Sequence, residues 1–240
     1  MREKGSLNAP FLHPLRQQLP AQGRGLPGVH CLPLAEVEDE ALLAVKPGRK
    51  RAEYCWTLSP CLPWYLLQQR PDIDFITYLD ADLYFYSDLQ PLFDEIGDSS
   101  IVIIEHRYIP RLEHLVVRGR FCVEWVSFRR DAEGLACLAR WREQCIEWCY
   151  YRLEDGKMGD QKYLDEWPDR YFACHILMHP GAGISSPSME PRLSFIISTS
   201  SSCCPTGALT VCRTTTPGPD RFLLRSTMSM RMKCAACNRR

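Results

Sequence analysis

Two aspartates separated by one small residue, Asp80 and Asp82 around Ala81, close the run Phe75 Ile76 Thr77 Tyr78 Leu79. An uncharged, largely apolar run of this kind reads as a strand buried on both faces. Acids at its end place charge where an open α/β sheet binds ligands, at the carboxyl end of a strand. Side chains at i and i+2 of extended backbone point the same way, about 6 to 7 Å apart along the strand, so a slight bend after Leu79 lets both carboxylates converge on one hard cation. Two carboxylates do not fill an octahedral shell. Mg²⁺ or Mn²⁺ held by so few protein oxygens completes it with waters and a substrate diphosphate, so the pair points to a metal-chelated nucleotide. The same residues also suit a strand running into an Asp-rich turn, because Asp favours turns and caps.

Three further groups have residue types suited to chemistry. Gly159 Asp160 Gln161 opens a short helix, where the Asp160 carboxylate either accepts from backbone amides or faces a ligand. Lys46, Arg49, Lys50 and Arg51 form a basic cluster that suits a diphosphate, and equally a solvated loop after a helix whose last turn favours cations. Cys234 and Cys237 form a CxxC near Cys203, Cys204 and Cys212, but zinc ribbons need two such knuckles and only one is present. A small zinc-binding regulatory module is therefore the weakest functional alternative. Thirteen cysteines, an odd number at irregular spacing, argue for reduced thiols rather than a disulfide framework.

The chain around these residues has 240 residues, enough for one α/β domain with tails, and 45% hydrophobic content suits a packed core. Lys plus Arg equals Asp plus Glu at 29 each, which excludes a global basic field for nucleic acid. No apolar run approaches membrane-spanning length and the first residues lack a signal-peptide core, so the expectation is a soluble, cytoplasmic protein without a transmembrane segment. Met1 to Pro27 shows no periodicity and reads as irregular. A strand over Val29 to Leu34 and a helix over Ala35 to Val45 follow. Ser59 and Pro60 read as N-cap and first residue of a helix that stops at Arg70 Pro71 and leads into the acidic strand. Ser87 or Asp88 caps a helix ending at Gly97. Ile101 to Glu105 and Phe121 to Phe128 read as interior strands, the second with Glu124 as its anomaly. Asp131 caps the longest helix, with Leu135, Leu138, Trp141, Cys145, Trp148 and Cys149 as a core stripe. Cys174 to Met178 is the last expected strand. Alternating strands and helices predict a three-layer, Rossmann-like α/β domain with a mainly parallel sheet over 28–183.

Tyr78 Leu79 Asp80 Ala81 Asp82 Leu83 Tyr84 Phe85, with Leu92 Phe93, the Phe121 to Arg130 block and Gly159 Asp160 Gln161, resembles bacterial GT-A nucleotide-diphospho-sugar transferases, close to glycosyltransferase family 8 and the glycogenin group. The resemblance covers roughly Gly28 to Gly183. It implies a GT-A-like fold in which Asp80 and Asp82 hold Mn²⁺ or Mg²⁺ against the diphosphate of a UDP-sugar-like donor. Tyr78, Ala81 and the basic Lys46, Arg49 and Arg51 would line the nucleotide-sugar site. It also places Asp160 and Gln161 at the transferred sugar as catalytic candidates that steady an oxocarbenium-like centre. A metal and basic side chains neutralise the leaving diphosphate as the anomeric bond breaks. The acceptor is not implied.

Three departures accompany the resemblance. Cys122 and Glu124 stand where relatives carry Asn and Gly, Met1 to Pro27 offers no strand for base recognition, and no histidine follows His179 to supply a further metal ligand. Composition shifts at Ser185 to Ser, Thr, Pro, Cys and Arg, as a shifted reading frame would produce, and 184–240 is expected to be a tail of low order. An inactive or incomplete transferase remnant is therefore the first alternative to an active enzyme.

Overall fold

The computed structural model describes residues 29–80, 83–85, 89–180, 182, 195–197, 208–213 and 221–225. Strand β1 is Val29–Pro33, followed by two short helices, α1 (Leu34–Val37) and α2 (Glu40–Val45). The single helix expected over 35–45 thus breaks, because Glu38 turns extended and Asp39 restarts the helix by accepting from the Leu42 amide at 3.0 Å. A 3-10 turn over Lys46–Gly48 leads into the longest helix, α3 (Arg51–Gln69).

Helix α3 corrects the reading of Ser59 and Pro60 as a helix start: both lie in its interior, as does Pro63. The start is instead set by Glu53, whose carboxylate reaches back to the Lys50 amide at 2.8 Å. Interior prolines forgo i→i−4 bonds, at a cost of about 3 kcal/mol each. Burial of Tyr54, Leu58, Cys61, Leu62, Leu66 and Leu67 against the sheet and neighbouring helices offsets that cost.

Strand β2 (Phe75–Leu79) is buried along its whole length, and β3 (Leu83–Phe85) follows shortly after. Helix α4 (Gln90–Ile96) ends at Gly97, whose φ of +52° is the left-handed conformation glycine adopts freely. Strand β4 (Ile101–Glu105), a 3-10 stretch over Pro110–Arg118 and strand β5 (Phe121–Arg129) precede α5 (Ala132–Glu147), where Asp131 accepts from the Gly134 amide at 2.8 Å. A 3-10 turn (Gln161–Glu166), α6 (Trp167–Arg170) and β6 (Cys174–Ile176) complete the part that was legible as alternating elements.

The protein is α/β, with β1, β8 (Ala208–Arg213), β9 (Arg221–Arg225), β2, β5, β4 and β6 side by side in one sheet, and β3 paired with β7 (Phe195–Ile197). The expectation of a mainly parallel sheet is corrected: among the described residues only β2 with β9 and β4 with β6 pair in parallel, and β5 runs against both its neighbours. The link from β4 to β5 carries no crossover α-helix, only the 3-10 stretch, which explains the reversal. Residues 184–240, expected to lack regular structure, contribute β7, β8 and β9. Their short apolar runs gain order from partners far away in sequence, a signal that local periodicity does not carry.

Helices cover both faces of the sheet. On one, Leu62, Leu66 and Leu67 of α3 and Leu138, Trp141 and Cys145 of α5 pack on Ile76, Ile101, Ile103, Val126 and Phe128. On the other, Leu92, Phe93 and Ile96 of α4 meet Phe75, Leu79, Val102 and Trp125. Trp141 stands edge-on to Trp167 with centroids 5.4 Å apart, and its indole N–H donates to the Asp160 carbonyl at 2.9 Å. The core stripe of α5 therefore fixes the backbone of a candidate site residue.

Candidate functional site at the carboxyl end of strand β2

Strands β2, β4 and β6 point the same way, because β2 and β4 both run against β5 and β6 runs with β4. Their carboxyl ends meet at one edge, where an open α/β sheet gathers ligand-binding groups. Asp80 leaves β2 there, half-buried, and its amide donates to the Glu124 carbonyl at 3.2 Å. Opposed residues of an antiparallel pair share a face, so Glu124, itself buried, lies on the Asp80 side of β5. Tyr78 shares that face by the period of two, and its hydroxyl donates to Asp80 Oδ1 at 3.1 Å.

Helix α3 lays the i, i+4, i+8 stripe Arg51, Cys55 and Ser59 over this edge. Ser59 Oγ, buried, donates to the Tyr78 hydroxyl at 3.3 Å, and it lies near enough to the Asp160 carboxyl to favour its charged form. Ser59, Tyr78 and two carboxyls thus form one cluster. Burial chiefly, and then the charge of Asp80, push the Asp160 carboxyl up to about 7, against the pull of Ser59 and of the Asp160 and Gln161 amides. Burial and then the negative charges of Glu124 and Asp80 also push the Cys122 thiol upward, so it is a poor nucleophile.

The expected site residues fall into two groups. Tyr78, Asp80 and Asp160 come together as one cluster. Arg51 joins them: its positive charge and the negative charge of Asp160 both act on the Cys55 thiol, which burial raises to about 11. Lys46 and Arg49 are engaged internally. Lys46 pairs with Glu38 at 2.6 Å beside the Tyr54 ring, while Arg49 is buried, donates to the Cys145 and Ile146 carbonyls at 3.3 and 2.7 Å, and stacks on Tyr150. Arg49 caps the carboxyl end of α5, a role its place in a basic run did not signal. Gln161 donates to the Arg118 carbonyl at 2.9 Å and lies against Gly119. Its amide is thereby turned from the carboxyl cluster toward the β4–β5 connection. Asp160 occupies the position before the 3-10 turn, but its side chain makes no cap to that turn.

Ala81 and Asp82 lie outside the described residues, as do the expected caps Ser87 and Asp88 and the cysteines Cys203, Cys204, Cys234 and Cys237. Among the described residues no group of three or more His, Cys, Asp or Glu side chains is arranged to hold a metal ion. Asp80 fits a hard divalent cation as one carboxylate oxygen ligand at the sheet edge, the ligand type that Mg²⁺ and Mn²⁺ take. Sequence reasoning missed Ser59, which looked like a cap. The spacing Arg51, Cys55, Ser59 is the signal that locates it.

The loop that delivers Asp160 is braced before it arrives. Lys157, Trp148, Arg152, Tyr150 and Arg49 alternate as cation and ring, with separations of 6.0, 5.6, 4.5 and 4.2 Å. Asp155 and Gly156, both at positive φ, turn the chain so that Glu154 and Lys157 exchange backbone hydrogen bonds. Glu53 ties this loop to α3 by accepting from the Tyr151 amide at 3.0 Å.

The chain is similar to the uncharacterized proteins YfnF and YfnD of Bacillus subtilis strain 168. Identity is 34% over 165 residues with YfnF, covering 65% of this chain and 54% of YfnF, and 32% over 160 residues with YfnD, covering 65% and 51%. The chain thus spans about half the length of these curated relatives. No protein-family profile matches it. No solved structure matches it either. Among the described residues no helix is long and apolar enough to cross a membrane.

Proposed function

We propose that this chain is a metal-dependent glycosyltransferase of GT-A-like fold that takes a sugar from a UDP-sugar-like donor. The observation that carries the reading is the pair of carboxyls, Asp80 and Asp160, gathered at the carboxyl end of β2 close enough for the charge of one to act on the other, with Tyr78 tying Asp80 to Ser59. Asp80, with Asp82 two residues on, would hold Mn²⁺ or Mg²⁺. When bound, the metal neutralises the diphosphate leaving group. Arg51 adds positive charge on the same side, and Asp160, buried and able to keep its proton near neutrality, faces the centre where the sugar detaches. Tyr78, itself held by Ser59, keeps the Asp80 carboxyl in place, which spares the site reorganisation during transfer.

Calorimetric titration with Mn²⁺, with and without UDP, tests the reading on the unmodified chain and on Asp80→Ala and Asp82→Ala. The expected outcome is weak Mn²⁺ binding alone, tighter binding with UDP, and loss of both in the variants, since the diphosphate supplies oxygens that two carboxylates lack. Equal heats for all three proteins would remove the metal site. UDP release across a donor-sugar panel then separates an active transferase from an inactive remnant. The remnant reading is favoured by the internal use of Lys46 and Arg49 and by the buried Glu124 beside Asp80.

A further inference from the structure

Beside Asp160 stands an aromatic pair that the site as described leaves unused. The Trp56 ring lies against Gly159, where an added Cβ would come within 3.2 Å of it, and Gly159 has a φ of +56°. Tyr151 leans on Trp56 with ring centroids 5.4 Å apart and an angle of 49°, and Tyr151 keeps half its surface exposed, at 52%. Both rings are fixed by backbone. Trp56 sits in the middle of α3, next to Cys55 of the stripe that crosses the site, and the Tyr151 amide is held by the buried Glu53. The cation and ring ladder over Lys157, Trp148, Arg152, Tyr150 and Arg49 stiffens the loop that carries Tyr151.

We infer that the Trp56–Tyr151 pair is a stacking platform for the acceptor and that the acceptor is a saccharide, an inference that rests on the glycosyl-transfer reading above. An exposed, rigid ring offers a pyranose a flat apolar face at little entropic cost, and the polar groups at its rim serve hydroxyls. Arg51, exposed on the helix that carries Trp56, supplies such a group. The platform adjoins Gly159, one residue from Asp160. A sugar stacked there lies beside the loop that delivers Asp160, while the diphosphate end of the donor lies toward Asp80.

Saturation-transfer NMR on the full chain with maltotriose, cellotriose and lactose, each alone, tests the platform, and Mn²⁺–UDP calorimetry runs in parallel. The unmodified chain is expected to bind at least one of these sugars. Tyr151→Ala should weaken that binding about three- to tenfold, Tyr151→Phe should restore it, and Mn²⁺–UDP affinity should stay unchanged in both, as expected of one lost ring contact. No sugar bound by the unmodified chain, or equal binding by Tyr151→Ala, overturns the inference. A loss confined to UDP affinity overturns it in favour of a nucleobase on the platform. Tyr151-dependent sugar binding without any Mn²⁺–UDP binding would uphold the platform and sink the transferase reading instead.

Discussion

Tyr78 donates its hydroxyl proton to Asp80 Oδ1 at 3.1 Å while accepting from Ser59 Oγ at 3.3 Å, so one buried phenol links the end of β2 to the middle of α3. Tyr78→Phe keeps the ring packing but removes both hydrogen bonds, which costs about 1 to 3 kcal/mol for a buried group. Urea denaturation should show that loss with an unchanged slope. A neutral substitution would mean that water replaces the phenol and that the chain of hydrogen bonds is not closed.

The Asp160 carboxyl, raised from 3.8 to about 7, makes stability depend on pH in a defined direction. The unfolded chain releases this proton near the ordinary value and the native chain keeps it to neutrality, so the native state binds more protons in between. The contribution is fully present below the unfolded value and is lost as pH rises through about 7. At 1.36 kcal/mol per unit the whole effect is on the order of 4 kcal/mol. Asp160→Asn keeps the shape and removes the titration. The difference in unfolding free energy between variant and parent should therefore shift in favour of the variant by a few kcal/mol from about pH 4 to pH 8. Parallel curves would show that Asp160 does not titrate in this window.

Arg130 is spread over three carbonyls: it donates to Leu67 at 2.8 Å, to Arg70 at 2.6 Å and to Ile73, closing the carboxyl end of α3. Its backbone amide also donates to the Asp74 carbonyl, which joins the end of β5 to the entry of β2. Arg130→Met preserves the length of the side chain and removes every donor, so α3 should fray at its last turn and stability should fall by about 2 to 4 kcal/mol. Hydrogen exchange localises the effect. Faster exchange confined to the last turn of α3 is expected, and a uniform change along the chain would contradict the capping role.

What the sequence disclosed follows from how local each signal is. The buried runs of β2, β4 and β5 and the Asp131 cap of α5 were readable because the residues themselves carry the period or the cap. The start of α3 was not readable, since Ser59 and Pro60 imitate a helix N-terminus while Glu53 and the buried apolar stripe fix the true one nine residues earlier, with Lys50 as cap and Arg51 as first helical residue. Strand direction was equally hidden. An apolar strand looks the same run either way, and only the absence of an α-helix between β4 and β5 hints at the reversal. At the site, Asp80 and Asp160 were recognisable by type, but Arg49 was misread because a basic run does not show which member turns inward to helix carbonyls.

Gly134 sits in the first turn of α5, where Ala would ordinarily stabilise an exposed helix by about 1 kcal/mol. Here the sign reverses. A Cβ at this position would lie 2.3 Å from the Arg129 carbonyl oxygen and 2.9 Å from that of Ser100, both backbone atoms and both fixed, since the Arg129 amide donates to the Ser100 carbonyl at 2.8 Å. The helix must lift from the sheet to admit a methyl group. The Asp131 cap, held by the Gly134 amide at 2.8 Å and the Ser100 hydroxyl at 2.6 Å, must then loosen with it. Gly134→Ala is expected to cost about 2 to 4 kcal/mol, overpacking plus part of a cap. Because α5 holds the Asp160 carbonyl through Trp141, the same lift should, on the proposed glycosyl-transfer function, weaken Mn²⁺–UDP binding although Gly134 lies in the first turn of α5, at the opposite end of β5 from Asp80. Thermal unfolding and calorimetry on one preparation check both consequences, and a variant as stable as its parent would show that α5 does not seat this closely on the sheet.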